Sequence, residues 1–253
     1  MTTAPQPVLL YGVPFSQPVR AVMWLLLYKR MPFKMVPVSP GSKNEGGSRS
    51  PAYLAKNPGG TIPTLEEPDT GFVLGEAHAI LCYLSNRHGW DDVYPADPKQ
   101  RARVDWYLHY HHRNVREASI GLVAPKIRKD LNIPELMQQA AHGALTRALR
   151  ALDTGWLAQS SWLAGDRLSL ADFAAYVEIG QLQPEFANLF DFEPFPNVRR
   201  WLAQMKQVDR HDDAHVCLAA LGDISREAPS MEAIKDANVR ALAVVKQRVA
   251  EFS

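Results

Sequence analysis

Cysteine is scarce: the chain has two in 253 residues, Cys82 and Cys217. Two thiols make no disulfide framework and no cysteine-based zinc set, and they point to a reducing compartment, the cytoplasm. An excess of charge is also missing. The 28 Lys and Arg residues against 27 Asp and Glu leave a net charge of +1. That balance gives no reason to expect nucleic acid or an anionic membrane surface as a partner. Long apolar runs are absent too. The longest, Ala21 to Tyr28, is too short to span a bilayer. Met1 to Pro7 lacks the basic-then-apolar order of a secretory signal. There is no internal repeat and no low-complexity tract. What remains is an ordinary globular composition, 46% hydrophobic, in a chain long enough for one large domain or two modest ones.

Residues 1–89 read as alternating strands and helices. Val8 to Tyr11 is a short apolar strand. Ser16 to Arg30 is a helix, with Val19, Val22, Met23, Leu26 and Leu27 recurring on one face. Phe33 to Val38 is a second strand, placed near an edge by Pro37. Residues 39–50, rich in Gly and Ser, form a loop. Pro51 to Lys56 is a short helix, Ile62 to Glu66 and Phe72 to Leu74 are strands, and Glu76 to His88 is a helix. The order β-α-β-α-β-β-α describes a thioredoxin-type α/β domain. Trp90 to Pro98 is a linker, and residues 99–253 form an all-α domain. Its helices are read at Lys99 to about Lys129, bent or broken at Pro125, then Pro134 to Gln159, Ser169 to Gln183, Asn197 to Gln207, Asp212 to Leu221 and Ser230 to Glu251.

Ser16 stands between the first strand and a strongly helical run. A hydroxyl at a helix N-terminus can cap the helix or hold an anion there. Three other segments stand out: Asn57-Pro58-Gly59-Gly60-Thr61-Ile62-Pro63-Thr64-Leu65, Gly75-Glu76-Ala77-His78-Ala79-Ile80, and Tyr94-Pro95-Ala96-Asp97-Pro98 with Arg101-Ala102-Arg103-Val104-Asp105. With Ser16-Gln17-Pro18-Val19-Arg20-Ala21, and in this order, they resemble the cytosolic glutathione transferases over nearly the whole chain. The Ser-Gln-Pro start and the long C-terminal tail resemble the theta class. The resemblance implies a dimeric detoxification enzyme with glutathione as co-substrate. Its thiolate would attack a small hydrophobic electrophile or reduce an organic hydroperoxide. It implies no metal.

The resemblance also assigns roles. Ser16 would be the catalytic group. A free thiol has a pKa near 8.5, and a hydroxyl donating to sulfur favours the thiolate. The competing role is a plain N-cap. Relatives with dithiol chemistry carry a second thiol where this chain has Val19. Pro63 is implied to follow a cis bond, against the ordinary trans preference, with Ile62 pairing to the cysteinyl residue of the bound peptide. Glu76 would meet the γ-glutamyl α-ammonium; its bland reading is a first-turn acid. The following serine of the family is Ala77 here, which leaves only a main-chain N–H for the γ-glutamyl carboxylate. Gln17 and the loop around Thr61 would reach the glycine end. A histidine and a lysine of the family pattern are Ser48 and Thr61 here. Lys43 and Arg49 are substitutes or solvated loop charges. Arg116 would face the electrophile and steady a leaving anion, or be a solvated helix arginine.

His109, His111 and His112 form no recognised metal motif and read as a solvated or interfacial face. Ser169-Leu170-Ala171-Asp172 reads as a capping box. The tail, with Met231, Ile234, Ala241, Leu242, Val245, Val249 and Phe252 on one face, is a core helix or a cover for the active site. Two rival functions remain open: a non-catalytic binder of glutathione or a hydrophobe, and a protein-interaction module on the same fold.

Overall fold

The computed structural model describes residues 6–252. Strands β1 (Val8–Tyr11), β2 (Phe33–Val36), β3 (Thr64–Glu67) and β4 (Phe72–Gly75) form one sheet in the order β2-β1-β3-β4. β1 runs parallel to β2, with Leu10 beside Met35, and antiparallel to β3, with Leu10 beside Leu65. Helices α1 (Gln17–Tyr28), α2 (Pro51–Leu54) and α3 (Ala77–His88) complete this half. The element order is the one the periodicity predicts, and β2 does lie at an edge.

From Pro98 onward the chain is helical: α4 (Pro98–His111), α5 (Ala124–Ile127), α6 (Glu135–Ala151), α7 (Leu170–Ile179), α8 (Pro196–Met205), α9 (His211–Leu221) and α10 (Met231–Ala250). The single helix expected over Lys99 to Lys129 is not formed. α4 ends at His111, whose carbonyl receives the N–H groups of Asn114, Val115 and Arg116. Three donors on one carbonyl end the i→i−4 ladder and turn the chain. Pro125 breaks nothing, because it sits in the first turn of α5, where its missing N–H has no partner to lose. A π turn, Ser119–Val123, precedes it. Gly121 there lies so close to α6 that a Cβ would fall 2.1 Å from that of Ala141. α6 likewise stops at Ala151 rather than Gln159 and continues as a π turn, Leu152–Trp156. That turn aims Asp153 Oδ1 at the N–H groups of Asn197 and Val198 (2.7 and 3.0 Å), so Asp153 caps α8 from a distance.

Two helices have almost no solvent face. All ten residues of α7 are buried, and ten of the twelve in α1. They pack on each other and join the two halves. Trp24 of α1 is fully buried, donates Nε1–H to the Asp209 carbonyl (2.9 Å), and meets Phe173, Tyr176, His211 and His215 edge-on. Edge-to-face aromatic pairs each add about 0.5–1.5 kcal/mol beyond their buried area.

The capping box of α7 is present. Asp172 is buried and accepts from Ser169 N–H and Oγ–H, Leu163 N–H and Trp201 Nε1–H, all within 3.0 Å. Its removal would leave several buried donors without an acceptor. Asp172→Ala is therefore expected to lose about 3–5 kcal/mol in urea unfolding, and a loss below about 1 kcal/mol would remove this role.

Burial holds His78, His111, His211 and His215 neutral, with His78 brought down to about 3 and the others lowered from 6.5. Folded imidazoles that resist protons stay neutral while the unfolded chain takes them up below about 6.5, so stability falls as pH drops through that value. Asp172, pushed up to about 6 by burial, acts in the opposite direction, but it is one group against four. The melting temperature is expected to be level above about pH 7 and to fall steadily from pH 6.5 to 5. A level profile across that range would contradict the burial of these rings.

Candidate active site

Gly12 ends β1 with φ +152, and a Cβ there would lie 2.5 Å from Val19 Cγ2. Only glycine lets the strand turn this tightly onto α1. Ser16 follows as the N-cap residue, with φ −70 and ψ 125, and its carbonyl accepts the Arg20 N–H at 2.9 Å. The side chain makes no capping hydrogen bond. The hydroxyl is thus partly exposed and unspent at a helix N-terminus.

The peptide before Ser16 is gripped from other parts of the molecule. Asn238 of α10 accepts the Phe15 N–H through Oδ1 at 2.9 Å. Arg20 donates to the carbonyls of Pro14 and Phe15, and from its other nitrogen to the Val177 carbonyl and Gln181 Oε1 (3.1 and 3.4 Å). Gln17 is buried, and its Nε2 donates to Gln181 Oε1 at 2.9 Å. Its side chain is thereby committed to the helical half, away from the glycine end where the resemblance puts it.

The Ile62–Pro63 bond is cis, as the resemblance implies. Asn57 and Tyr53 hold the preceding residue: Asn57 Nδ2 and the Tyr53 hydroxyl both donate to the Thr61 carbonyl (3.1 and 2.7 Å). Ile62 lies just before the β3 ladder, which begins at Thr64. Glu76 is exposed and stands at the N-cap of α3 with φ +64, a left-handed conformation costly for a residue with a Cβ. Ala77 opens the helix.

Thr61, Ile62, Pro63, Glu76, Ala77 and Arg116 line one cavity of about 130 Å³ between the sheet half and the helical half. Ser16 and Gln17 are not part of its wall; Pro18 and Ala21 of the same helix are. Arg116 is not a free solvated arginine. It pairs with the buried carboxylate of Glu178, which also takes the Ser119 hydroxyl. That carboxylate raises the Arg116 pKa further.

The three histidines divide: His109 and His112 are exposed, and His111 is not. His111 is buried, with its ring centroid 4.9 Å from that of His78, and His112 lies 4.5 Å from His78 on the other side. The interfacial alternative thus holds for His111 and the solvated one for His109, while the exposed His112 still packs on His78. Among the described residues no three His, Cys, Asp or Glu side chains group as a metal site, and no helix is long and apolar enough to cross a membrane.

At the glycine end, Ser48 is buried and its Oγ accepts the Gly41 N–H, so it shapes the loop. Arg49 lays its stem across Gly60, where a Cβ would meet Arg49 Cδ at 2.8 Å. Lys43 is exposed in the loop. Sequence reasoning quoted Arg20 but gave it no role, and it missed Gln181 and Asn238 altogether. Their partners lie more than 150 residues away, beyond any local spacing.

Residues 10–95 match the family model of the glutathione S-transferase N-terminal domain, and residues 106–208 match that of the C-terminal domain. Glutathione S-transferase D7 of Anopheles gambiae is 34% identical over 78% of this chain and 85% of its own length. The solved structure of human glutathione-S-transferase T1-1 superposes with a TM-score of 0.73 at 27% identity, over 94% of this chain and 99% of that one. Human glutathione transferase theta-2, solved in complex with glutathione, does so with a TM-score of 0.71 at 26% identity, over 97% and 100%. With a thioredoxin-like half that places a free serine hydroxyl at a helix start and an all-helical half packed against it, the chain belongs to the glutathione transferase family.

Proposed function

We propose that this chain is a serine-type, theta-like glutathione transferase in which Ser16 holds the glutathione thiolate. The observation that carries this is the Ser16 hydroxyl itself. It sits at the N-cap of α1 and spends nothing on capping, so its hydrogen is free to go to sulfur. The first-turn main-chain N–H groups and the helix dipole add to the same effect. Each unit by which the thiol pKa falls corresponds to about 1.4 kcal/mol, so a few such donors suffice at neutral pH.

The tripeptide would lie from Arg49 to Glu76. Ile62 would pair with its cysteinyl main chain, the cavity wall at Glu76 and Ala77 would take the γ-glutamyl end, and Arg49 beside Thr61 would take the glycine carboxylate. Arg116 lines the wall next to Glu76 and Ala77, with one nitrogen held by Glu178 and others left over. That position suits the γ-glutamyl carboxylate, which lacks the family's serine hydroxyl here, better than an anion leaving from sulfur.

The thiolate then forms a C–S bond to an electrophilic carbon as the leaving group departs with its electron pair, or adds to an activated double bond. With an organic hydroperoxide it would take one peroxide oxygen and release the alcohol. A second glutathione then closes the disulfide as water leaves. Exposed aromatics on both halves, Phe72 and Trp106, suit a second copy of the chain as partner in a homodimer. The balanced charge and the two unpaired thiols suit a cytoplasmic enzyme.

Ser16→Ala is expected to lower kcat/KM with a chloroaromatic electrophile by about 10²-fold while glutathione binding by calorimetry changes little, the signature of a lost donor to a developing anion. Full activity in that variant would rule out the serine mechanism, and no glutathione binding by the wild type would favour a non-glutathione ligand or an interaction module. Glu76→Gln and Arg49→Ala should each weaken glutathione binding by about 10-fold, and wild-type affinity in both would place the peptide elsewhere.

A further inference from the structure

Arg20 is completely buried one helical turn after Ser16. Every hydrogen bond it makes goes to a neutral acceptor: the Pro14, Phe15 and Val177 carbonyls and Gln181 Oε1. Among the described residues its Nε has no partner, and no carboxylate hydrogen-bonds to it. The one carboxylate whose field reaches it, Glu178, is taken up by Arg116 and Ser119. The other groups facing it are Tyr176 on α7 and Cys217 and His215 on α9, all neutral at physiological pH. A buried cation without a counter-ion is costly unless something offsets it. Burial lowers Arg20 to about 10, which leaves it charged at neutral pH.

We propose that Arg20 is the electrostatic positioning residue of this site: its buried, unneutralised charge stabilises the thiolate held at Ser16, and its bonds to the Pro14 and Phe15 carbonyls aim that serine. The inference rests on the glutathione reading above. In the bound state the anion supplied by the ligand is the missing counter-ion, and the thiol proton leaves to solvent. Arg20 touches neither sulfur nor Ser16 Oγ; it acts through the low-dielectric peptide between them, where a unit charge is screened far less than in water.

The experiment is a titration of the ultraviolet thiolate band of glutathione bound to the full-length protein. Arg20→Met is expected to raise the apparent thiol pKa by about one unit or more, whereas Arg20→Lys, which keeps the charge, stays near wild type. Cys217→Asp introduces a carboxylate whose field reaches Arg20 and should raise the pKa similarly, with Cys217→Asn as the neutral control that leaves it unchanged. This pair decides the matter if Arg20→Met does not fold. Arg20→Met removes both the charge and the carbonyl contacts, so the charge is read from Cys217→Asp against Cys217→Asn: a role in aiming Ser16 alone would leave that pair at the wild-type titration. Wild-type titration in both Arg20→Met and Cys217→Asp, with glutathione still bound, overturns this inference alone. Absence of a thiolate band in the wild type overturns the glutathione reading and this inference with it.

Discussion

Helix α1 must be covered on every side, because ten of its twelve residues are buried and one of them is an arginine. α3 packs against it within its own half; α7, itself wholly buried, and α9 pack against it from the other. Neither half of the molecule can therefore hide α1 alone. The packing that joins the halves and the packing that places Ser16 are the same interaction. Trp24 provides the apolar part of it, and Arg20 with Gln17 and Gln181 provides the polar part. Since buried polar groups must be paired, Gln181 is what allows two long polar side chains of α1 to face the helical half.

The two ends proposed to take the glutathione carboxylates are built differently from the end proposed to hold its sulfur. At the start of α1, a main-chain turn set by Gly12 leaves the Ser16 hydroxyl uncommitted. At the two ends, the chain lacks the family's serine, histidine and lysine. It presents arginines instead: Arg116 steadied by Glu178, and Arg49 laid across Gly60. Each is held by a feature that has no meaning until the fold brings distant segments together. The left-handed Glu76 completes the picture: it is kept in a costly conformation at the start of α3, and it and Ala77 line the same cavity.

This explains what was legible in the sequence. The β-α-β-α-β-β-α order could be read because alternation and 3.6-residue periodicity are local signals, and Ser16, Ile62, Pro63 and Glu76 could be singled out because their motifs are contiguous. The end of α4 could not. It depends on three N–H groups converging on His111 and on Arg116 turning to Glu178, 62 residues later. Pro125, the obvious breaker, turned out to start a helix. The commitment of Gln17 to Gln181 was invisible for the same reason: the glutamine is in the motif, but its partner lies 164 residues on.

The bond from Asn238 to the Phe15 N–H spans 223 residues. During synthesis the sheet, α1 and the cis-proline loop emerge from the ribosome early, and most of the helical half follows. The loop that presents Ser16 gains its last anchor only when residue 238 has been made. A chain made only up to that point can thus be largely folded while the loop before Ser16 still lacks this anchor. The local geometry around Ser16 is thus completed by a segment that the chain reaches 223 residues later.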